Sequence, residues 1–315
     1  MMEQKQIGKA SPLRCVNCRA DLSSDNEADT VCKNCRRVYK RNRFGYLELL
    51  SESPPHDAAP GEDYVHAQKV AGDRVFIRYL KPLFEREHFE TVLEVGCGVG
   101  TVVNRFAETG ADAYGIDLPV LSSIWAAEGN DPRRFVSGDA TSLPFSDNYF
   151  DVVYSMGVIE HIGTAIGHCT LTSGYEAKRA QFARELVRVT KPGGRIVVSC
   201  PNKSFPIDIL HGPRDDAGPA HRLRSFLFDR TGMNIHKTWG KYYLPSYKEI
   251  KKLFCKEAGA SGLKCLPLRD YFGFGHFADG FLRPFAFLAK TFVNNIPGPL
   301  LPTFFNPYVM VQIRK

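Results

Sequence analysis

With 315 residues, 43% of them hydrophobic, the chain is long enough for one large domain with a small appendage. A formal net charge of +7 is modest for that length and permits contact with nucleic acid or anionic lipid without demanding either. The opening Met1 to Gln6 is polar, and Arg283, Lys290 and several prolines interrupt the most apolar stretch. Neither a secretory signal nor a membrane-crossing helix of ~18 residues is therefore expected, and a cytoplasmic location is.

Residues 1–50 read as the first unit. Cys15-Val16-Asn17-Cys18 and Cys32-Lys33-Asn34-Cys35 supply four thiolates in two tight hooks, the set that tetrahedral zinc takes. The odd total of nine cysteines argues against a disulfide framework. With all four positions filled by sulfur the metal is expected to be structural, holding together a ribbon too small to fold on its own core. Arg36, Arg37, Lys40, Arg41 and Arg43 follow the second hook, either as a solvated face or as a hold for RNA phosphates.

Residues 51–62, with Pro54, Pro55 and Pro60, read as a linker, and 63–315 as the main domain. From Asp63 to Phe89 apolar residues fall at helical spacing, with Gly72 and Pro82 marking a break. Strand and helix then alternate: strand at 91–95, helix from Thr101 to Glu108, strand at 113–116, helix from Val120 to Glu128. Further strands are expected at 134–136, 150–154 and 195–199, with a helix from Tyr175 to Thr190 ended by Lys191-Pro192-Gly193-Gly194. This alternation predicts an α/β, doubly wound parallel sheet with helices on both faces. Two insertions interrupt it, at about 202–245 and about 269–306, around a helix beginning near Ser246 and before a last strand at 308–313.

The chemistry concentrates in Leu93-Glu94-Val95-Gly96-Cys97-Gly98-Val99-Gly100-Thr101, where glycines let the backbone curl tightly and approach a ligand. A glycine triplet alone also fits an ordinary turn. Asp117, at the end of the next strand, stands near the ~20-residue interval at which a carboxylate accepts ribose hydroxyls. Glu94 separates two cofactors: a pyrophosphate wants helix-terminal N–H groups without a carboxylate beside them, whereas an ammonium and a sulfonium are complemented by one. Gly138-Asp139-Ala140 adds a third acidic strand end, suited to an adenine edge.

These motifs, in order, resemble class I S-adenosylmethionine-dependent methyltransferases, in the large group many of whose members act on small molecules. The resemblance runs from about His88 to Asn202. It implies a Rossmann-like seven-stranded sheet with its last strand antiparallel. It also implies that Glu94, Gly96, Gly98 and Gly100 hold the methionine part of the cofactor, Asp117 the ribose, and Leu118, Asp139 and Ala140 the adenine. The run from Phe150 to Ile162 resembles the motif lining the transfer site, which puts Ser155 and Met156 against the cofactor and His161 where the methyl emerges. His161 is then the expected general base, or else a residue that packs the following turn. His211 and His221, in the first insertion, reach an acceptor only if that segment folds over the site.

The expected function is methyl transfer to a small-molecule, glycan or lipid-precursor acceptor. Tyr271 to Phe277, with Phe281, Phe285, Phe287 and Phe292, favours an apolar or amphipathic acceptor and peripheral membrane contact if it lines the pocket. Two alternatives differ in class. The ribbon followed by Gly45 to Leu50 resembles the head of ribosomal RNA guanine methyltransferases, which implies a ribosomal or transfer RNA substrate, although Gly157-Val158-Ile159-Glu160-His161 departs from their pattern. The other is a non-catalytic binding module that keeps the cofactor fold.

Overall fold

The computed structural model describes residues 11–24, 29–51, 60–165, 169–213, 219–272 and 283–315. Near the amino terminus, β1 (Leu22–Ser24), β2 (Asp29–Cys32) and β3 (Val38–Lys40) form a small antiparallel sheet, and β4 (Leu47–Leu49) runs out of it. A helical segment follows: α1 (Glu62–Val75), a π-helical stretch at Phe76–Leu80, and α2 (Lys81–Glu87). Gly72 does not break α1. It stays inside because Thr101 and Val102 pack where its side chain would be, Thr101 Cβ lying 2.9 Å from the position of an added Cβ.

The alternation of the central segment appears as β5 (Thr91–Val95), α3 (Thr101–Glu108), β6 (Asp112–Asp117), α4 (Ser122–Ala127), β7 (Phe135–Gly138) and β8 (Phe150–Met156). α5 (Tyr175–Val189) and β9 (Thr190–Pro201) complete it. The first insertion holds a short hairpin, β10 (Ile207–Asp208) with β11 (Asn234–Ile235), spanning α6 (Pro219–Thr231). α7 (Tyr247–Lys251) starts on Ser246, whose side chain and Glu249 form a capping box. β12 (Gly262–Cys265), α8 (Arg283–Asn294) and β13 (Tyr308–Arg314) close the chain.

The large sheet has the order β12-β13-β9-β8-β5-β6-β7-β4, and β13 runs antiparallel to both its neighbours. Consecutive residues of its central strands face opposite layers, as a pleat requires. Leu93, Val153 and Val198 join one core with Phe182 and Leu186 of α5, while Val92, Val152 and Val197 join the other with Phe106 of α3.

The eighth strand is β4. Leu47 and Leu49 pair parallel with Val136 and Gly138, so the cysteine-bearing segment is stitched to the main sheet. Cys15, Cys32, Tyr39, Leu47 and Leu49 share a core with Leu143 and Phe145. The Arg14 N–H donates to the Pro144 carbonyl at 2.9 Å, and the Ser146 N–H to that of Pro12 at 2.8 Å. Between them sits Glu185, 3% exposed. Its Oε2 accepts from the Leu143 N–H at 2.7 Å, Arg19 at 3.1 Å and Arg188 at 2.8 Å.

A buried carboxylate that faces two guanidinium groups is costly to remove, because the Leu143 N–H loses its acceptor and Arg19 and Arg188 lose a buried counter-charge, Arg188 keeping the more exposed Asp147. Glu185→Ala is expected to cost about 3–5 kcal/mol in thermal unfolding. Asp21→Ala, which removes the more exposed Arg14–Asp21 pair at 3.3 Å, should stay within about 0.5 kcal/mol.

Candidate active site

The carboxyl ends of β5, β6, β7 and β8 meet at the glycine turn. Gly96, Gly98 and Gly100 all have left-handed φ, at +78°, +50° and +84°. Their missing side chains are also a packing requirement. A Cβ on Gly96 would lie 2.2 Å from Val158 Cγ2, and one on Gly100 would lie 2.5 Å from the Phe135 ring. Val158 belongs to the loop after β8, so the turn and that loop are in direct contact. At Gly98 the nearest groups come from α1, Gln68 Oε1 at 3.3 Å and Tyr64 Oη at 3.6 Å from an added Cβ. The lead-in helix thus lies across the turn.

Around it the polar groups are tightly assigned. Asp117 accepts from the Gly98 N–H and the Leu118 N–H, both at 2.7 Å, which ties the turn to the end of β6. Burial raises the Asp117 carboxyl above its usual range, against these two donors. Asp139 accepts from the Thr141 N–H at 2.7 Å and the Thr141 hydroxyl at 2.8 Å, with Ala140 half-buried beside it. Ser155 donates to the Val95 carbonyl at 2.8 Å and so locks β8 to β5 beneath the turn, and Met156 packs on the α3 side of the sheet.

Glu94 is different. Burial lifts its carboxyl to about 8, the Tyr154 hydroxyl pulling it down and Asp117 pushing it further up. Among the described residues its Oε2 is buried with no hydrogen-bond partner, and the Tyr154 hydroxyl that acts on the carboxyl is likewise buried with none in bonding geometry. A buried acceptor left in this state calls for a donor, and a cation is the donor that would also reverse the cost of ionising it.

Beyond the loop after β8, the first insertion folds back over the sheet. His161 and His211 stand edge to face with ring centroids 5.2 Å apart. His211 Nδ1 is 2.8 Å from Asp208 Oδ2, which also accepts from the Tyr243 hydroxyl at 3.0 Å. Burial would raise Asp208, but His211, the Leu210 N–H and Tyr243 outweigh it and hold the carboxyl below its usual range. Glu160, 1% exposed, adjoins the pair, lifted by burial to about 7 against the pull of His211. His221 sits elsewhere, on α6, where its Nε2 is 3.4 Å from the Ser225 hydroxyl.

An aromatic wall stands nearby. The Tyr271 and Tyr308 hydroxyls are 2.9 Å apart, Ser199 Oγ is 3.2 Å from Tyr308, and the Phe272 ring lies 5.2 Å from that of Tyr308. Of the expected aromatic run, Gly273 to Phe277, Phe281 and the side chain of Phe285 lie outside the described residues. Sequence reasoning assigned no role to Asp208, Tyr243 and Tyr308, which carry no motif, nor to Glu160, which lies within one. It also passed over Trp125, whose indole N–H donates to the Gly98 carbonyl at 2.7 Å.

The four ribbon cysteines converge as their spacing predicts. Cys15 and Cys35 sulfurs are 3.6 Å apart and those of Cys18 and Cys32 3.4 Å, near the separation that four ~2.3 Å zinc–sulfur bonds impose. The Cys35 N–H donates to Cys32 Sγ at 3.4 Å, and Ala20 draws the Cys18 thiol down to about 6. Several cations after the hook serve the ribbon itself. Arg37 donates to the Leu50 and Ser51 carbonyls, and Arg41 to that of Gly45.

Residues 93–198 match a family described as the methyltransferase domain. The chain is 34% identical over 124 residues to tocopherol O-methyltransferase, chloroplastic, of Arabidopsis thaliana, covering 36% of this chain and 31% of that protein. It is 34% identical over 111 residues to demethylmenaquinone methyltransferase of Renibacterium salmoninarum, covering 35% and 40% respectively. The chain therefore spans a third or so of these relatives' lengths. Among solved structures it is similar to a SAM-dependent methyltransferase from Archaeoglobus fulgidus, at 19% identity and a TM-score of 0.45, covering 81% of this chain and 97% of that one.

Glu94 yields a test independent of any ligand. Its folded carboxyl binds a proton up to about pH 8, its unfolded one only to about 4.5. Its contribution to stability is therefore full below about pH 4.5 and falls away as pH rises toward 8. Melting temperatures across that window should show Glu94→Gln gaining on the wild-type protein as pH rises, and parallel curves would contradict the assigned burial.

Proposed function

We propose that this chain, which carries a class I S-adenosylmethionine-dependent methyltransferase domain, transfers a methyl group to a small apolar or amphipathic acceptor. The observation that carries the reading is the buried, unpartnered oxygen of Glu94 behind a left-handed glycine turn. It suits an ammonium, and it would repel a pyrophosphate.

Bound S-adenosylmethionine supplies an electrophilic methyl group on a sulfonium. In this reading Glu94 meets the cofactor's ammonium, and Gly96, Gly98 and Gly100 let main chain close on its methionine part. Asp117 accepts from the ribose, Leu118, Asp139 and Ala140 border the adenine, and Ser155 and Met156 back the turn. His161 faces the acceptor, and the wall of Tyr271, Phe272 and Tyr308 orients an apolar body and excludes water from the in-line approach. Cys15, Cys18, Cys32 and Cys35 hold a structural zinc.

The relatives named for tocopherol and demethylmenaquinone, together with 2-methyl-6-phytyl-1,4-hydroquinone methyltransferase of Synechocystis, favour an acceptor with a polar ring and a long apolar tail. Two of the five cations after the second hook, Arg37 and Arg41, are engaged with ribbon carbonyls, which leaves fewer of them for an RNA acceptor. The acceptor chemistry agrees with a peripheral membrane role. Phe287 and Leu288 of α8 are 69% and 63% exposed, and no described helix is long and apolar enough to cross a membrane.

Calorimetry with S-adenosylmethionine should show affinity rising with pH toward about 8, since the ammonium needs an ionised Glu94. Glu94→Gln should bind about tenfold or more weakly and lose that dependence. No heat of binding in the wild-type protein would leave the non-catalytic module as the answer. Tritiated-methyl transfer into fractionated extract should then label the lipid pool rather than the RNA pool. Separately, the protein should float with anionic liposomes, and Phe287→Ser with Leu288→Ser should abolish flotation. A wild-type protein that never floats removes the membrane role.

A further inference from the structure

The loop after β8 and the first insertion bring together Glu160, His161 and His211, one carboxylate oxygen and two imidazole nitrogens all within 4.8 Å of one another. We propose that these three side chains bind a divalent transition-metal cation with an open coordination position facing the acceptor.

Four features carry this. The ligand set, two histidines and a carboxylate, is a common one for zinc and for non-haem iron, with positions left for water or substrate. Glu160 is 1% exposed and its Oε2 is buried without a hydrogen-bond partner among the described residues, so an acceptor is left in place that none of them satisfies. His211 is held through Nδ1 by Asp208, which fixes the tautomer whose lone pair is on Nε2. This carboxylate–histidine arrangement typically orients a metal ligand, and Tyr243 secures the carboxylate in turn. Finally, the three ligand atoms already lie within 4.8 Å of one another. Ligands at ~2.1 Å in tetrahedral geometry lie about 3.4 Å apart, within reach of side-chain rotation from the observed spacing.

The site adjoins the crevice: Val158, two residues before Glu160, packs beside Gly96 of the glycine turn. What it takes there, an acceptor oxygen that the cation would polarise, rests on the methyl-transfer reading; the cation site does not. In this arrangement His161 acts on the acceptor through the metal.

The test uses Mn2+, which favours oxygen and nitrogen ligands over thiolates, added to full-length protein whose ribbon has first been loaded with zinc. Bound Mn2+ is counted by electron paramagnetic resonance without cofactor or acceptor. One Mn2+ per chain is expected, displaced by excess zinc. Glu160→Gln and His211→Ala should each weaken binding by about tenfold or more, and Asp208→Asn by about ten- to hundredfold. Thermal melting checks that each variant is folded, and His211→Ala, at a half-buried side chain, decides if Glu160→Gln is not. No uptake beyond the ribbon, or uptake unchanged in the folded variants, overturns the proposal. Calorimetric binding of S-adenosylmethionine is read on the same preparations, so a lost cation site and a lost cofactor site are told apart.

Discussion

The fold is organised around a turn that only glycine can make. At Gly96, Gly98 and Gly100 the backbone is left-handed, and at two of the three the space a side chain would fill is already occupied. Because Val158 and Phe135 press directly on the turn, its shape is transmitted to the loop after β8 and to β7. The Asp117 carboxylate then fixes the turn from the third side through the Gly98 N–H. A ligand entering there meets main chain already positioned, and the ordering cost is paid in folding rather than in binding.

The ribbon takes part in the same constraint. Tyr46, just before β4, donates its hydroxyl to the Asn130 carbonyl at 2.8 Å and sets its ring edge-on to Trp125 at 5.2 Å. Trp125 in turn donates to the Gly98 carbonyl, and Asn130 to that of Val99 at 3.0 Å. The Gly98 and Val99 carbonyls of the glycine turn are thus satisfied by residues that the ribbon's exit segment holds in place. Its cysteines precede Gly98 by 63 to 83 residues in sequence, yet the segment works as part of the wall of the main domain.

Much of this was legible before any coordinates. The strand at Thr91–Val95 and the helix at Thr101–Glu108 follow from an apolar run and a 3.6-residue period on either side of the glycines. The four cysteines announce their own geometry through two short spacings. The pairing of β4 with β7 was not legible, because three residues of Leu-Glu-Leu carry no register information until Val136 is beside them. Nor was the position of His211, which lies fifty residues from His161 in a segment whose path depends on the β10–β11 hairpin and the Asp208–Tyr243 contact. Glu160 was hidden for another reason: a glutamate beside a histidine reads as a motif letter, and its unpartnered oxygen is a property of burial alone.

Two carboxylates in this crevice, Glu94 and Glu160, share that condition, and each burial is costly unless a cation meets it. They stand on opposite sides of the contact between Gly96 and Val158, one at the end of β5 and one beyond the end of β8. A chain that only needed to fold could have placed apolar residues of similar size there and lost nothing. That both sites instead hold an acceptor without a donor, at the mouth of the same sheet, fits a crevice built to receive positive charge from two directions. In the proposed reading Glu94 would hold the ammonium of S-adenosylmethionine, and a cation held at Glu160 would favour an anionic nucleophile at the acceptor's end.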